Sequence, residues 1–109
     1  MAEIRQAGAG RYRVSGCLSF ASVPDLLASV EAAGDAREVD LSGVLRADSA
    51  GLAMLLEWAS QVQSQGAVLR LAGIPAQLRS LIRISGVGAV FGLDSSADTV
   101  AAESSIEVE

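Results

Sequence analysis

Strand-like and helix-like segments alternate through most of this chain, and this alternation limits the fold more than any other feature. Glu38 to Ser42 alternates apolar and polar residues as a strand does, whereas Ser49 to Gln65 carries apolar residues at helical spacing. Ala67 to Leu71 again has the pattern of a strand, and Gly73-Ile74-Pro75 begins a helix that reaches about Ile84. Because strands joined through helices pair in parallel, this order predicts an α/β fold with right-handed crossovers.

The N-terminal third predicts a hairpin followed by a helix. Ile4 to Gln6 and Tyr12 to Ser15 alternate on either side of Gly8-Ala9-Gly10, which is a turn-forming cluster. A helix from about Val23 to Ala33 follows, with a proline in its first turn. After the next strand, a loop is expected from Gly43 to Asp48.

A chain of 109 residues suits one hydrophobic core. We therefore predict a single domain over residues 1–93, with a small mixed β-sheet, an N-terminal hairpin and about three to four packed helices. Residues 94–109 are predicted to be an acidic, disordered tail. The acids of this tail are Asp94, Asp98, Glu103, Glu107 and Glu109, and no base accompanies them.

The charges and residue types exclude several function classes. The tail accounts for the net charge of −5, which leaves eight acids against eight Arg upstream. Nucleic-acid binding is not expected, because that body has no basic stripe. The chain has no His and all its basic residues are Arg, which removes His-based triads, HExxH zinc sites, phosphate-loop Lys and Schiff-base chemistry. We expect no enzymatic activity, no metal and no cofactor.

Three further features predict a cytoplasmic protein that does not insert into a membrane. No apolar run approaches about 18 residues, the length that a transmembrane helix requires. The N-terminus does not resemble a secretion signal. Cys17 stands alone, which excludes an internal disulfide and agrees with a reducing compartment.

The strongest helix signal has two contrasting sides. One side is a core-facing stripe about 120° wide, formed by Leu52, Leu55, Leu56, Ala59 and Val62. On the opposite side the bulky residues Met54 and Trp58 lie four positions apart and therefore side by side. They either pack against a neighbouring helix of the same domain or form an exposed ridge that anchors a partner protein. The second interpretation is slightly favoured, because Met and Trp are enriched at interfaces.

The segment Asp48-Ser49-Ala50-Gly51 precedes this helix and has two compatible interpretations. Asp48 or Ser49 can cap free backbone N–H groups, and Gly51 permits close approach of another backbone. A serine hydroxyl exposed at a helix N-terminus is also a site that a kinase can phosphorylate.

Asp48-Ser49-Ala50-Gly51-Leu52 at a helix start resembles the signature of the STAS domain. A strand with Val39-Asp40-Leu41 precedes it, and Leu78 to Ile82 and Ser85-Gly86-Val87 follow it, as in that family. The resemblance covers roughly Tyr12 to Phe91. It implies a protein-binding module that performs no catalysis.

Two branches of the STAS family compete, and both involve the residue at position 49. In anti-sigma-factor antagonists the matching serine is phosphorylated by a kinase-type anti-sigma factor, which blocks binding. In the MlaB branch, the hydroxyl residue and nearby helices contact the ATPase MlaF of a phospholipid ABC transporter. The run from Ser49 to Trp58 resembles the MlaB branch more closely. Antagonists usually carry an acid where this chain has Ser19, which weakens the phosphorylation-switch interpretation.

The favoured resemblance implies a subunit that binds and regulates or stabilises an MlaF-like ATPase, within a complex with an inner-membrane permease and an MCE-type protein. Such a complex maintains outer-membrane lipid asymmetry, and the subunit lies at the inner membrane through its partner. Arg79 and Arg83 lie four positions apart on the third helix, and most such pairs are simply solvated. The alternative is that the second and third helices form one docking surface, in which the two Arg flank the Met54 and Trp58 ridge and meet acids on a partner, or are covered by the acidic tail in the free protein. The candidate partner-binding residues are Asp48, Ser49, Ala50, Gly51, Met54, Trp58, Arg79 and Arg83.

Overall fold

The computed structural model describes residues 2–91 and contains one four-stranded sheet. The strands are β1 (Ala2–Gly8), β2 (Arg11–Leu18), β3 (Glu38–Ala47) and β4 (Arg70–Ala72), and they lie side by side in the order β1-β2-β3-β4. β1 pairs antiparallel with β2, whereas β2–β3 and β3–β4 are parallel. The predicted N-terminal hairpin, the parallel pairing and the mixed α/β sheet are therefore confirmed.

Three α-helices connect or follow these strands. They are α1 (Val23–Ala32), α2 (Ser49–Gln63) and α3 (Ala76–Ser85), and a short 3₁₀ helix at Gly88–Phe91 ends the described chain. The crossovers through α1 and α2 step in the same direction across the sheet, so right-handed connections place both helices on one face. No helix within residues 2–91 has the length and apolar character needed to cross a membrane.

The core lies between that face of the sheet and the helices. Val14, Leu18, Val39 and Leu41 point into it from β2 and β3 and are buried. The other sheet face is polar: Arg13 and Asp40 are neighbours across β2 and β3, and their side chains approach to 3.4 Å. The layer arrangement leaves α2 in the centre of the fold, in contact with both other helices, with β2 and with β3.

Two segment boundaries differ from the predicted ones. The loop expected from Gly43 to Asp48 is wrong, because β3 continues to Ala47. Its pairing with β2 is irregular after Arg13, so buried Val44 and Ala47 lie three positions apart and do not follow simple alternation. The strand predicted over 67–71 is also wrong in extent, since β4 comprises only Arg70–Ala72. The predicted acidic tail, 94–109, lies outside the described residues.

Candidate functional site

The side chain of Asp48 organises the start of α2. Its Oδ1 atom accepts hydrogen bonds from the backbone N–H groups of Ala50 at 2.9 Å and Gly51 at 3.2 Å. Its Oδ2 atom accepts a third bond, from the N–H of Phe20 at 3.1 Å. These bonds lower the pKa of the Asp48 carboxyl because they stabilise its charged form, and the bond from Phe20 has the largest effect. Asp48 is thus the helix cap, and it also ties the β2–α1 loop to α2.

Ser49 is free of the capping role because Asp48 performs it. The residue is exposed in the first turn of α2, and its hydroxyl forms no hydrogen bond with any residue between 2 and 91. A free hydroxyl at this place is available to another molecule, either as a hydrogen-bonding group or as an acceptor of a phosphoryl group.

Phe20 is a functional candidate that the sequence reasoning missed. Its side chain is 82% exposed, although the loop that carries it is held in place at both ends. Asp48 fixes its backbone N–H, and the Ser22 hydroxyl donates to the carbonyl of Cys17 at 2.6 Å while accepting from the N–H of Ser19 at 3.0 Å. An aromatic side chain that a fixed loop holds in solvent beside α2 is typical of an interface anchor.

Gly51, one of the predicted partner-binding residues, has a structural role in the fold. The residue is buried, and a Cβ atom added to it would lie 2.7 Å from both the Cβ atom and the carbonyl oxygen of Leu18. Glycine is therefore needed for α2 to approach the end of β2, which is the close approach that its position in the first turn suggested. Ala50, beside it, is half-buried.

The prediction that Met54 and Trp58 form an exposed ridge is wrong. Trp58 is fully buried and Met54 is 2% exposed, because both residues pack in the interior of the fold. The indole Nε1–H of Trp58 donates to the carbonyl of Ala33 at 2.9 Å, and its ring packs edge-on against Tyr12 with centroids 5.8 Å apart. The Tyr12 hydroxyl donates in turn to Asp35 at 2.7 Å, which raises the pKa of the tyrosine. The two side chains belong to the core.

The exposed stripe of α2 runs along a different line. It consists of Ser49, Ala53, Glu57 and Ser60, which are three or four positions apart, and its side chains are small or polar. We use the name docking face for Phe20, Ser49, Ala53 and Glu57 together. Small residues at Ser49 and Ala53 allow another backbone to approach this part of α2 closely.

Arg79 and Arg83 are exposed, as expected for the outer side of α3, but they do not flank a Met54 and Trp58 ridge, because that pair is buried. Within residues 2–91 neither guanidinium forms an ion pair or a side-chain hydrogen bond. A cleft of about 280 Å³ lies between α3 and the carboxyl ends of β2 and β3, and Arg46, Asp48 and Gln77 contribute to its lining. The side-chain oxygen of Gln77 already accepts a hydrogen bond from the N–H of Ala47 at 3.1 Å.

A comparison with protein-family models decides the affiliation. The model described as "Mlab, STAS domain" matches residues 1–93. The chain belongs to the STAS domain family. The resemblance that was stated from Asp48 to Leu52 is thereby confirmed, and it extends further toward the N-terminus than Tyr12, into the β1–β2 hairpin. No curated protein sequence matches the chain.

Solved structures show the same STAS fold at low sequence identity. The anti-sigma-factor antagonist SpoIIAA in its unphosphorylated form is 13% identical, with a TM-score of 0.61 over 77% of this chain and 83% of that one. The Bacillus cell-fate determinant SpoIIAA in its phosphorylated form is 16% identical, with a TM-score of 0.63 over 82% and 86%. A sulfate transporter family protein from Wolinella succinogenes is 18% identical, with a TM-score of 0.62 over 86% and 78%. These similarities establish the fold alone.

One signal in the sequence was sufficient to find the exposed stripe of this STAS domain. Ser49, Ala53, Glu57 and Ser60 follow helical spacing, and each is smaller or more polar than the residues on either side of the stripe. Phe20 had no comparable signal. Its exposure depends on the loop geometry that Asp48 imposes from 28 positions further along the chain.

Proposed function

We propose that this chain is a non-catalytic STAS subunit that binds the cytoplasmic ATPase of an Mla-type phospholipid ABC transporter through its docking face. The observation that carries the proposal is the exposed hydroxyl of Ser49, next in the chain to Asp48, together with the exposed side chain of Phe20, whose backbone N–H donates to Asp48, in a chain that the "Mlab, STAS domain" model matches over residues 1–93. STAS domains are in general binding or regulatory modules without catalysis, which supports assigning ATP hydrolysis to the partner.

The composition of the docking face supports a protein partner. Phe20 has a large exposed apolar side chain. Ser49 and Ala53 have small side chains, so a partner segment can lie close to the backbone of α2. A partner that covers Phe20 removes an exposed aromatic ring from water, and such rings are often energetic centres of interfaces. Asp48 contributes by fixing the position of Phe20 before binding, which lowers the entropic cost of association.

Charges around the docking face are suited to orienting the partner. Glu57 is exposed on α2, while Arg79 and Arg83 are exposed on α3, which packs against α2. Exposed charges of this kind mainly affect association rates and the choice of partner. In this proposal the chain reaches the inner membrane through the ATPase, within a complex with a permease and an MCE-type protein, and helps to maintain outer-membrane lipid asymmetry.

The test is a binding measurement with the purified ATPase from the same transporter. Ser49→Glu adds charge and volume in the first turn of α2, and Phe20→Ser removes the exposed ring. Each is expected to weaken binding roughly tenfold or more. Ser29→Glu is the matched control, because Ser29 is exposed on α1, away from the docking face. Equal binding by all three variants and the unchanged chain would refute the proposal.

A second candidate function is supported by the accessibility of Ser49. Its hydroxyl is exposed and uses no bond to a residue between 2 and 91, so a kinase has access to it. Phosphate would add a charge of about −2 beside the Asp48 carboxylate and would repel an acidic partner surface. The chain would then be an anti-sigma-factor antagonist controlled at Ser49. Stable binding of a kinase-type anti-sigma factor, with phosphoserine at position 49 by mass spectrometry, would favour this function over the first.

A further inference from the structure

In the described part of the chain, the outer side of β1 is the longer of the two unpaired edges of the sheet. Within residues 2–91, β1 pairs with β2 alone, so the backbone N–H and C=O groups along its other side have no strand partner. Its register with β2 is regular from Ala2 to Gln6 and shifts between Gln6 and Gly8. A straight stretch of five residues is therefore available for pairing with another strand.

The opposite edge of the sheet offers a shorter stretch for such pairing. β4 contains only three residues, Arg70–Ala72, and pairs with the first part of β3. The remaining part of β3 lies next to α3, whose Gln77 side chain accepts the hydrogen bond of the Ala47 N–H. The difference between the two edges identifies β1 as the place where a further strand fits.

The side chains of β1 form a self-complementary pattern. Glu3 and Arg5 point to the polar face of the sheet, where the Arg5 guanidinium lies 2.6 Å from the Glu3 carboxylate. This contact raises the pKa of Arg5, and both side chains remain more than half exposed. Ile4 and Ala2 point to the other face and are half-buried against the core. An acid and a base thus stand at equal distances on either side of Ile4.

We propose that two copies of this chain pair through their β1 edges, antiparallel and with the two-fold axis at Ile4. This register places Glu3 of each copy opposite Arg5 of the other, twice, and places Ile4 opposite its own counterpart. Ala2 then faces Gln6. The two sheets become one sheet of eight strands, and the exposed part of each Ile4 side chain is covered by the second Ile4.

The charge pattern favours a second copy over other occupants of the edge. A two-fold antiparallel pair centred at Ile4 needs opposite charges at positions 3 and 5, and the chain has them. The docking face consists of Phe20, which follows β2, and of residues of α2, so it includes no residue of β1. Dimerisation and ATPase binding are therefore independent and can fail separately.

Charge exchange in the full-length chain tests the proposal. In Glu3→Arg, both residues 3 and 5 are basic, and in Arg5→Glu both are acidic, so each variant faces two repulsive pairs in its homodimer. Sedimentation velocity over a concentration series is expected to show self-association of the unchanged chain, weakened roughly tenfold in either single variant. A one-to-one mixture of the two variants restores association, because every cross-strand pair is again acid against base. The double variant Glu3→Arg/Arg5→Glu restores it as well.

Circular dichroism melting of each variant provides the folding control, since the two altered side chains are exposed. A monomeric unchanged chain up to millimolar concentration overturns the proposal. Single variants that associate as strongly as the unchanged chain, or a mixture that stays monomeric, overturn it also. Slow hydrogen exchange along the outer edge of β1 in a monomeric sample would assign that edge to another segment of the same chain and would likewise contradict it.

Discussion

Two sides of α2 have opposite surroundings along the same helix. Ser49 stands in solvent with an unused hydroxyl, whereas Met54 and Trp58 are enclosed by the fold. The contrast arises because one side of the helix points away from the fold, while its other sides pack against α1, α3 and the sheet. In α2, the large apolar residues mark the core-facing sides, and the small and polar residues mark the surface that a partner can reach.

Replacing the buried indole gives the largest expected effect. Trp58→Ala removes a fully buried ring and the donor to the Ala33 carbonyl, so we expect the free energy of unfolding to fall by about 3–5 kcal/mol. Urea denaturation followed by circular dichroism measures it. Leu55→Ala, another buried truncation on α2, is a matched comparison at about 2–5 kcal/mol. A Trp58→Ala domain as stable as the unchanged one would show that the indole does not belong to the core.

Adding one methyl group at Gly51 gives an intermediate effect. Replacing an exposed glycine inside a helix with alanine normally stabilises the protein, by up to about 1 kcal/mol. Gly51→Ala is expected to do the reverse and to destabilise by about 1–3 kcal/mol, because its Cβ atom would lie 2.7 Å from the Leu18 carbonyl oxygen. Ala53→Gly, at an exposed position of the same helix, provides the control for helix propensity alone. A stabilised Gly51→Ala variant would contradict the close packing of α2 on β2.

The contribution of Asp48 depends on pH. Asn in its place still accepts bonds through one oxygen but has no second acceptor for the Phe20 N–H, so Asp48→Asn is expected to melt at a lower temperature at pH 7. The folded pKa of Asp48 is lowered, so its stabilisation is present above the ordinary carboxyl pKa of about 4 and is lost as pH falls below it. The difference between variant and unchanged chain should therefore shrink in acid. The pKa of Asp40 is also lowered, chiefly by the backbone N–H of Ser42. Because Asp40 is present in both proteins, its contribution to the pH dependence cancels in the difference between them. A difference that stays constant from neutral pH to strong acid would exclude the proposed role of the carboxylate.

The smallest effect on stability is expected at the surface that matters most for binding. Ser49→Ala removes only an exposed hydroxyl that forms no hydrogen bond to a residue between 2 and 91. The free energy of unfolding, measured by thermal melting, should therefore change by less than about 0.5 kcal/mol. Binding to the ATPase should nevertheless weaken. A clear loss of stability in this variant would show that Ser49, and not Asp48 alone, caps α2.

The sequence was informative wherever local patterns decide the structure. Apolar spacing located α2 to within two residues at its C-terminal end, and the segment from Asp48 to Leu52 identified the family. Burial of the second side of α2 was not predictable in this way, because the partners of Trp58 are Ala33 and Tyr12, which only the tertiary fold brings to it. The exposure of Phe20 has the same origin, since Asp48 positions it from a distant part of the chain.

Hydrogen–deuterium exchange of the chain with and without the purified ATPase tests the central claim most directly. We expect binding to slow exchange in peptides that cover residues 18–22 and 48–53, which carry Phe20, Ser49 and Ala53, and to leave exchange in β1 unchanged. Protection confined to β1 or to the far end of α3, with no change at the first turn of α2, would contradict it.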